Sequence, residues 1–264
     1  MKNYLVIGNP INHSLSPKLH NTWFKINNVN AFYDKQKLEE NEIGNFIQKI
    51  KQKKIAGANV TVPFKKKVIP FLDKLSFEAE KTQSVNTIVF ENNNLVGHNT
   101  DVIGFTRAIK DLNFNIKGSK IFILGAGGVV PSIIFALNNM DASQITVSNR
   151  TKEKAENLKI QFNNLKVIDW GNLQDFDMII NATSLGLHKE EINLDFSSVG
   201  NGKLFYDVIY NPSETNFLKE GRKLGNKVEN GKFMFLYQAF EAFKLWHGIE
   251  PQINENILKL LQND

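Results

Sequence analysis

The chain has 264 residues, 42% of them hydrophobic and 22% charged, an ordinary composition for a globular protein of one large or two smaller domains. The lack of cysteine excludes disulfides, thiolate metal sites and cysteine nucleophiles, and no other metal site is expected. There is neither a long apolar run nor a basic-then-apolar leader, so we expect a cytoplasmic protein that does not bind a membrane. The net charge of +5 comes from lysines interleaved with acids, so we expect solvated helix faces and no nucleic-acid partner.

The first hundred residues alternate between strand and helix patterns. Ile43, Phe46, Ile47 and Ile50 recur at helical spacing and predict one buried helix face. In chain order the pattern predicts a strand, a helix, a strand, a helix, a strand, a helix broken around Pro70 and a hairpin, over residues 3–8, 16–28, 31–38, 41–54, 57–62, 65–75 and 86–100.

From residue 101 a helix leads into strand–turn–helix repeats, which predict a parallel sheet. The predicted strands are 120–124, 144–149, 165–170, 177–183 and 204–210, and the predicted helices are 101–114, 129–140, 151–162, 234–248 and 253–262. The predicted fold class is α/β with two domains, residues 1–101 together with 236–264, and residues 102–235. The last helices are expected to return to the first domain, because a complete second domain would leave their apolar faces uncovered.

A glycine-rich turn joins the first strand of the second domain to its helix. Gly125, Gly127 and Gly128 stand where a dinucleotide-binding fingerprint places its glycines, so that a pyrophosphate could approach the helix N-terminus. The next strand ends at Asn149, Arg150 and Thr151 without the carboxylate that binds the ribose hydroxyls of NAD. A guanidinium and a hydroxyl suit a 2′-phosphate, which favours NADP, and Lys152 and Lys154 add positive charge. Alternatively, Thr151 caps the following helix, and both roles are compatible.

Two serines flank Leu15 just before the first predicted helix. Ser16 precedes Pro17, a common arrangement for a helix N-cap, whereas Ser14 has no such explanation. Together the two hydroxyls could bind a small carboxylate. His13 and His20 are interpreted as structural, because neither belongs to a metal-ligand spacing.

The chain resembles the shikimate dehydrogenase family. The motifs that carry this resemblance occur in the family's order and cover nearly the whole chain. They are GNPINHSLSPKLHN, GANVTVPFKK, SVNT, GHNTD, GAGG, NRT, INATSLG, YDVIY and YQAFEAFKLWHG. The resemblance implies an N-terminal α/β substrate domain, a Rossmann-type NADP-binding domain and C-terminal helices that return to the first. It also implies the NADPH-dependent reduction of 3-dehydroshikimate to shikimate, on the route to chorismate and the aromatic amino acids. The chain departs from the family at Val129, Val130, Phe233 and Phe77, where small, glycine or acidic residues are usual.

The same resemblance assigns site residues by matching motif. Lys65 and Asp101 look like the catalytic pair. The implied substrate residues are Ser14 and Ser16 for a carboxylate, Asn59, Thr61, Asn86 and Gln238 for ring hydroxyls, and Tyr210. The implied cofactor residues are Gly125, Ala126, Gly127, Gly128, Val129, Asn149, Arg150, Thr151, Lys152, Lys154, Val208 and Gly231.

The resemblance implies different roles for the three consecutive lysines that begin at Lys65. An ammonium at Lys65 would stabilise the negative charge that develops on a carbonyl oxygen during reduction, and Asp101 would orient it. Lys66 and Lys67 are expected to face solvent. Without the family motifs, the pattern around Asp101, just before a predicted helix, favours a role as N-cap.

Two other functions remain open from the sequence. One is a quinate/shikimate dehydrogenase that prefers NAD, and the other is a non-catalytic NADP-binding regulatory module. The presence of both Lys65 and Asp101 argues against the second. The chain is expected to be a monomer or a homodimer.

Overall fold

The computed structural model of the chain describes residues 1–187 and 190–261. It divides into two compact units: residues 1–104 with the segment that begins at residue 236, and residues 105–235. The predicted α/β class is confirmed. The predicted domain end at 262–264, including the last residue of the helix predicted over 253–262, lies outside the described residues.

The first unit is built around a mixed sheet with the strand order β2-β1-β3-β5-β6-β4. Strand β1 pairs in parallel with β2 and β3, whereas β5 pairs antiparallel with β3 and β6. The elements are β1 Lys2–Gly8, α1 Ser16–Ile26, β2 Ala31–Lys37, α2 Ile43–Lys51, β3 Gly57–Val60, β4 Lys74–Leu75, α3 Phe77–Thr82, β5 Thr87–Glu91 and β6 Asn94–His98.

The core of this unit follows the predicted hydrophobic pattern. All four apolar residues of the predicted face of α2 are buried, and they join Phe64, Ile88 and Leu95 in one cluster. Residues 65–75 differ from the prediction, because they form turns, a 3₁₀ helix at Ile69–Phe71 and then β4. Pro70 lacks an N–H and disfavours the α conformation at the residue before it, which accounts for the loss of a regular helix.

The second unit contains a parallel sheet with the order β12-β11-β10-β7-β8-β9. The strands on either side of β7 are β8 and β10, so the strand order reverses there; in open α/β sheets ligands bind outside the carboxyl ends of the strands at such a point. The elements are β7 Lys120–Leu124, α5 Val130–Asn139, β8 Gln144–Ser148, α6 Lys152–Glu156, β9 Leu165–Ile168, β10 Met178–Asn181, β11 Leu204–Asp207, α7 Asn216–Lys223 and β12 Lys227–Glu229.

Each change from one unit to the other falls inside a helix. The first lies within α4, Thr100–Asp111, and the second within α8, Lys232–His247. The last helix, α9 Glu255–Leu260, belongs to the first unit, where the Trp23 indole N–H donates to the Gln252 carbonyl at 3.1 Å. Among the described residues, no helix is both long enough and apolar enough to span a bilayer.

Candidate active site

Lys65 and Asp101 form a buried ion pair in the first unit. Lys65 lies in the turn after β3, Asp101 lies in the first turn of α4, and the Lys65 Nζ is 2.5 Å from the Asp101 Oδ2. Their side chains are only 10% and 8% exposed. A buried charge that loses its partner is costly, so each of these groups holds the other in place. Lys66 is exposed, as predicted, and Lys67 bonds Glu40 at the surface.

The alternative role of Asp101 as a helix N-cap is wrong. Helix α4 begins at Thr100, and the backbone N–H of Asp101 donates to the Asn99 side-chain oxygen at 3.1 Å. Asn99 therefore supplies the capping acceptor, which leaves the Asp101 carboxylate for other partners.

The second oxygen of the Asp101 carboxylate is held by Asn86. The Asn86 amide Nδ2 donates to Asp101 Oδ1 at 3.0 Å and to Thr100 Oγ1 at 2.9 Å, and its Oδ1 accepts from the Thr100 N–H at 2.7 Å. The same Nδ2 lies 3.4 Å from the Gln238 Oε1 on α8. The structure thus brings Lys65, Asp101, Asn86 and Gln238 together. Thr100 was missed from the sequence, although it stands in the motif that supplied Asp101.

Asn59 lies in β3, and Thr61 directly follows that strand. Asn59 is buried, and its Nδ2 donates to the Asn86 carbonyl at 3.1 Å and to Thr87 Oγ1 at 2.9 Å. Thr61 is half-buried, and its backbone N–H donates to the Ile7 carbonyl at 2.9 Å. The Asn59 side chain also accepts a hydrogen bond from Tyr33, a residue that belongs to none of the quoted motifs.

Ser14 and Ser16 are neighbours at the start of α1. Ser16 is the first helical residue, so the N-cap position falls on Leu15, and the expected capping role of Ser16 is wrong. Instead, the Ser16 backbone N–H lies 3.3 Å from the Ser14 Oγ. Ser16 is buried and Ser14 is half-buried.

In the second unit the glycine turn fills the space between β7 and α5. Gly125 has φ of +110°, a conformation that favours glycine, and a Cβ there would lie 2.8 Å from the Ala182 carbonyl oxygen. Around Gly127 a Cβ would meet nothing nearer than 3.9 Å. Val129, at the N-cap of α5, makes no side-chain capping bond. Ala126 and Gly128 complete the turn.

The predicted 2′-phosphate residues lie at the carboxyl end of β8. Asn149 Nδ2 donates to the Thr151 carbonyl at 2.8 Å, and Arg150, Lys152 and Lys154 are exposed. Thr151 occupies the N-cap position of α6, as the sequence indicates, but its side chain makes no capping bond.

Lys152 has a partner that was not predicted. Its Nζ pairs with Asp169 Oδ1 at 2.8 Å, and this hydrogen bond raises the pKa of Lys152. A cavity of about 460 Å³ lies between the first turn of α6 and the loop after β9, and Lys152 and Asp169 are both in its wall.

Val208, Tyr210 and Gly231 lie in the loops that follow β11 and β12. A Cβ at Gly231 would lie 2.1 Å from the Val208 carbonyl oxygen, so only glycine fits there. The Tyr210 ring stacks on Phe235 with 4.6 Å between ring centroids, and both belong to the second unit. The other predicted substrate residues all lie in the first unit.

A buried carboxylate, Asp207, ties the ends of two adjacent strands together. It accepts hydrogen bonds from the Asn181 Nδ2 at 3.0 Å, the Ile209 N–H at 3.0 Å and the Thr215 hydroxyl at 2.6 Å. Burial raises its pKa to about 6, against the opposing effect of these hydrogen bonds. Within the ranges that the structure describes, no cluster of three or more potential metal ligands is present.

The geometry therefore defines a two-unit α/β protein that combines a buried Lys–Asp pair with a glycine-turn unit of the dinucleotide-binding type. Residues 6–88 match the family model of the shikimate dehydrogenase substrate binding domain, and residues 107–193 match that of shikimate / quinate 5-dehydrogenase. The chain belongs to the shikimate dehydrogenase family.

Individual relatives resemble the chain over nearly its full length. The shikimate dehydrogenase (NADP(+)) of Pelagibacter ubique is 53% identical, with 98% of each chain covered. The crystal structure of shikimate dehydrogenase from Aquifex aeolicus has a TM-score of 0.91 at 36% identity and covers 99% of this chain and 97% of its own. That of the Thermus thermophilus enzyme, in complex with NADP(H) and shikimate, has a TM-score of 0.90 at 29% identity, with 99% and 98% covered.

Proposed function

We propose that the protein catalyses the reversible, NADPH-dependent reduction of 3-dehydroshikimate to shikimate, a step towards chorismate and the aromatic amino acids. The buried Lys65–Asp101 pair is the observation that carries this proposal, because it places a proton donor among hydrogen-bonding groups suited to a polyhydroxylated ligand. The names of the relatives support the substrate and the cofactor: the Pelagibacter protein is named as NADP(+)-dependent, and the Thermus structure contains NADP(H) and shikimate.

Lys65 is the proposed proton donor. NADPH, when bound, supplies the hydride that adds to the carbonyl carbon of the substrate. Negative charge then develops on the carbonyl oxygen, and the Lys65 ammonium stabilises this charge and donates a proton to the oxygen. Asp101 holds the ammonium by its Oδ2, while Asn86 holds the other carboxylate oxygen, so the lysine is oriented before the substrate arrives.

The remaining predicted substrate residues would position the substrate so that its carbonyl oxygen lies near the Lys65 ammonium. Ser14 and Ser16, at the start of α1, would bind the carboxylate, where the helix N-terminus also favours an anion. Asn59, Thr61, Asn86 and Gln238 would bind the ring hydroxyls, and Tyr210 is a further proposed substrate residue. The carboxylate and hydroxyls of the substrate thus match the groups that α1, β3 and α8 present.

The second unit fits a dinucleotide. Gly125 leaves no room for a Cβ, the N-cap residue of α5 makes no side-chain capping bond, and the strand order reverses at β7. The residues proposed to hold NADP are the turn from Gly125 to Val129, the end of β8 with the first turn of α6, and Val208 and Gly231. Arg150 would bind the 2′-phosphate, and the cavity beside Lys152 has room for the adenosine end.

An absorbance assay tests the function directly. The protein is mixed with 3-dehydroshikimate and either NADPH or NADH, and the loss of the reduced nicotinamide is followed. We expect rapid consumption of NADPH and slow consumption of NADH. Preferential use of NADH would support the NAD-preferring quinate/shikimate dehydrogenase, and cofactor binding without consumption would support the regulatory module.

Replacing Arg150 with glutamine tests the 2′-phosphate assignment. Because a hydrogen bond to a charged group contributes about 1.5–3 kcal/mol, the KM for NADPH should rise about 10- to 100-fold, while the KM for NADH stays within about twofold. Initial rates at saturating substrate measure both values. Lys159→Gln removes one positive charge from the same unit outside the proposed site and should change neither. An equal loss with both cofactors would contradict the assignment.

The reaction requires only small metabolites and NADPH, so we propose a cytoplasmic location. We expect a monomer or a homodimer, which light scattering would distinguish.

A further inference from the structure

Tyr33 is a fully buried residue of β2 whose hydroxyl reaches across the sheet to β3. The strand order places β1 between these two strands, with Tyr33 beside Tyr4 and Asn59 beside Val6. The Tyr33 hydroxyl donates to Asn59 Oδ1 at 2.6 Å, in a contact that is itself buried. No step of the proposed reaction uses this tyrosine.

The surroundings of Asn59 fix which way its amide points. A backbone carbonyl can only accept a hydrogen bond, so the atom that faces the Asn86 carbonyl must be the Asn59 Nδ2. The second proton of that nitrogen is directed to Thr87 Oγ1 at 2.9 Å. Both amide protons are therefore engaged, and the Asn59 Oδ1 already accepts from Tyr33. Toward a ligand, Asn59 can offer only the second lone pair of its carbonyl oxygen.

Tyr33 is itself held firmly. Its backbone N–H and carbonyl bond the two ends of the Asn21 side-chain amide, at 2.9 Å and 2.7 Å. Its ring stacks face to face on the buried His20, with 4.4 Å between ring centroids and an interplanar angle of 5°. Burial raises the pKa of Tyr33 well above its usual value, although a hydrogen bond with the Ser16 side chain opposes the shift. The phenol therefore keeps its proton at neutral pH and remains a donor.

We propose that Tyr33 is a positioning residue that fixes Asn59 as a hydrogen-bond acceptor, so that Asn59 selects a ligand that offers a hydroxyl proton. This inference rests on the proposed function, in which Asn59 binds a ring hydroxyl of the substrate. Asn59 therefore discriminates between donors and acceptors. A ligand group that can accept but not donate a hydrogen bond forms none with the Asn59 carbonyl oxygen. Without the Tyr33 hydroxyl, the Asn59 carbonyl loses its buried partner, and the position of that oxygen relative to the ligand depends on the two Nδ2 bonds alone.

The test compares two buried tyrosines of the same chain. Tyr33→Phe removes the hydroxyl that bonds Asn59, whereas Tyr206→Phe removes a buried hydroxyl that has no hydrogen-bond partner among the described residues. Isothermal titration calorimetry with shikimate alone gives Kd without a cofactor. We expect Tyr33→Phe to raise Kd about 5- to 10-fold, the scale of one hydrogen bond, with kcat within about twofold of the wild type. Tyr206→Phe should change neither value.

A double variant establishes whether Tyr33 acts through Asn59. In an Asn59→Ala background, Tyr33→Phe should raise the Kd for shikimate by less than about twofold, since coupled residues are not additive. The bond between Tyr33 and the Ser16 side chain accounts for any such remainder. The same 5- to 10-fold loss in both backgrounds, or no loss in either, would overturn the inference. The wild-type protein tests the proposed function separately: if it fails to bind and oxidise shikimate, that proposal fails, whatever the variants do.

A ligand series tests the inference even if Tyr33→Phe does not fold. Each ring hydroxyl of shikimate is replaced in turn by hydrogen and by fluorine, which does not donate. The hydroxyl that binds Asn59 is identified by comparing two proteins. Its replacement weakens binding to the wild type but does not weaken binding to the Asn59→Ala variant. For that hydroxyl, fluorine should weaken binding to the wild type about as much as hydrogen does. If the fluorinated ligand binds like shikimate itself, Asn59 acts as a donor and the inference is wrong.

Discussion

Lys65→Ala is expected to lower kcat by about 10²- to 10⁴-fold, the usual range for the loss of a positioned general acid, while the KM for shikimate changes only modestly. The reason is the geometry of the pair: the Lys65 ammonium is the charged donor that Asp101 and Asn86 hold ready. Steady-state rates with shikimate and NADP+ measure both constants. Near-normal turnover would reject Lys65 as the proton donor.

Two further variants separate chemistry from structure. Lys65→Arg keeps a positive charge beside Asp101 but introduces a guanidinium, which does not give up its proton. It should preserve the unfolding temperature to within a few degrees and still lose most of kcat. Lys66→Ala changes the exposed neighbour in the same run of lysines and should leave kcat and KM as they are.

The second large expected effect is a loss of folding stability at acidic pH, and its cause is the buried His20. Burial, with a smaller contribution from the nearby His247, lowers the pKa of His20 from 6.5 to about 3. The unfolded chain therefore binds a proton between these two pH values that the folded chain does not. The stability contributed by neutral His20 is fully present above about pH 6.5 and is lost as the pH falls towards 3.

Between pH 7.5 and 5.0 this loss amounts to roughly 2 kcal/mol of the free energy of unfolding. His20→Phe should abolish that part of the pH dependence and leave stability at pH 7.5 equal or higher, since neither ring nitrogen of His20 has a hydrogen-bond partner among the described residues. Urea unfolding of both proteins at the two pH values measures the difference. Parallel losses in wild type and variant would show that His20 does not titrate as its burial implies.

The sequence predicted the parts of this molecule that local pattern controls. The period of the apolar residues in α2 and the glycine turn after β7 depend on neighbouring residues, and the structure agrees with both. The helix predicted over 65–75, with a break around Pro70, is wrong, because this segment forms only turns, a 3₁₀ helix at Ile69–Phe71 and β4.

The site residues and the pairing of Lys65 with Asp101 were predicted by motif, whereas the other contacts of these residues were not. Asp101 is free to pair with Lys65 because the side chain of Asn99, two residues earlier, supplies the capping acceptor at the start of α4. The sequence does not show which of the two residues provides the cap. The bond between Tyr33 and Asn59 depends on strand order, which no local pattern encodes. Similarly, the pairing of Lys152 with Asp169 joins residues at the ends of separate elements.

The first unit is built from two separate segments of the chain, and this determines which unit has its full sequence first during translation. The second unit is one continuous segment, residues 105–235, and its whole sequence is synthesised before any of α9. The first unit, by contrast, needs its C-terminal segment: Gln238 reaches Asn86, and the Trp246 indole N–H donates to the Ile88 carbonyl at 3.1 Å. The second unit therefore has its full sequence once residue 235 is synthesised, whereas the Lys65–Asp101 neighbourhood stays incomplete until the segment with Gln238 and Trp246 has been added.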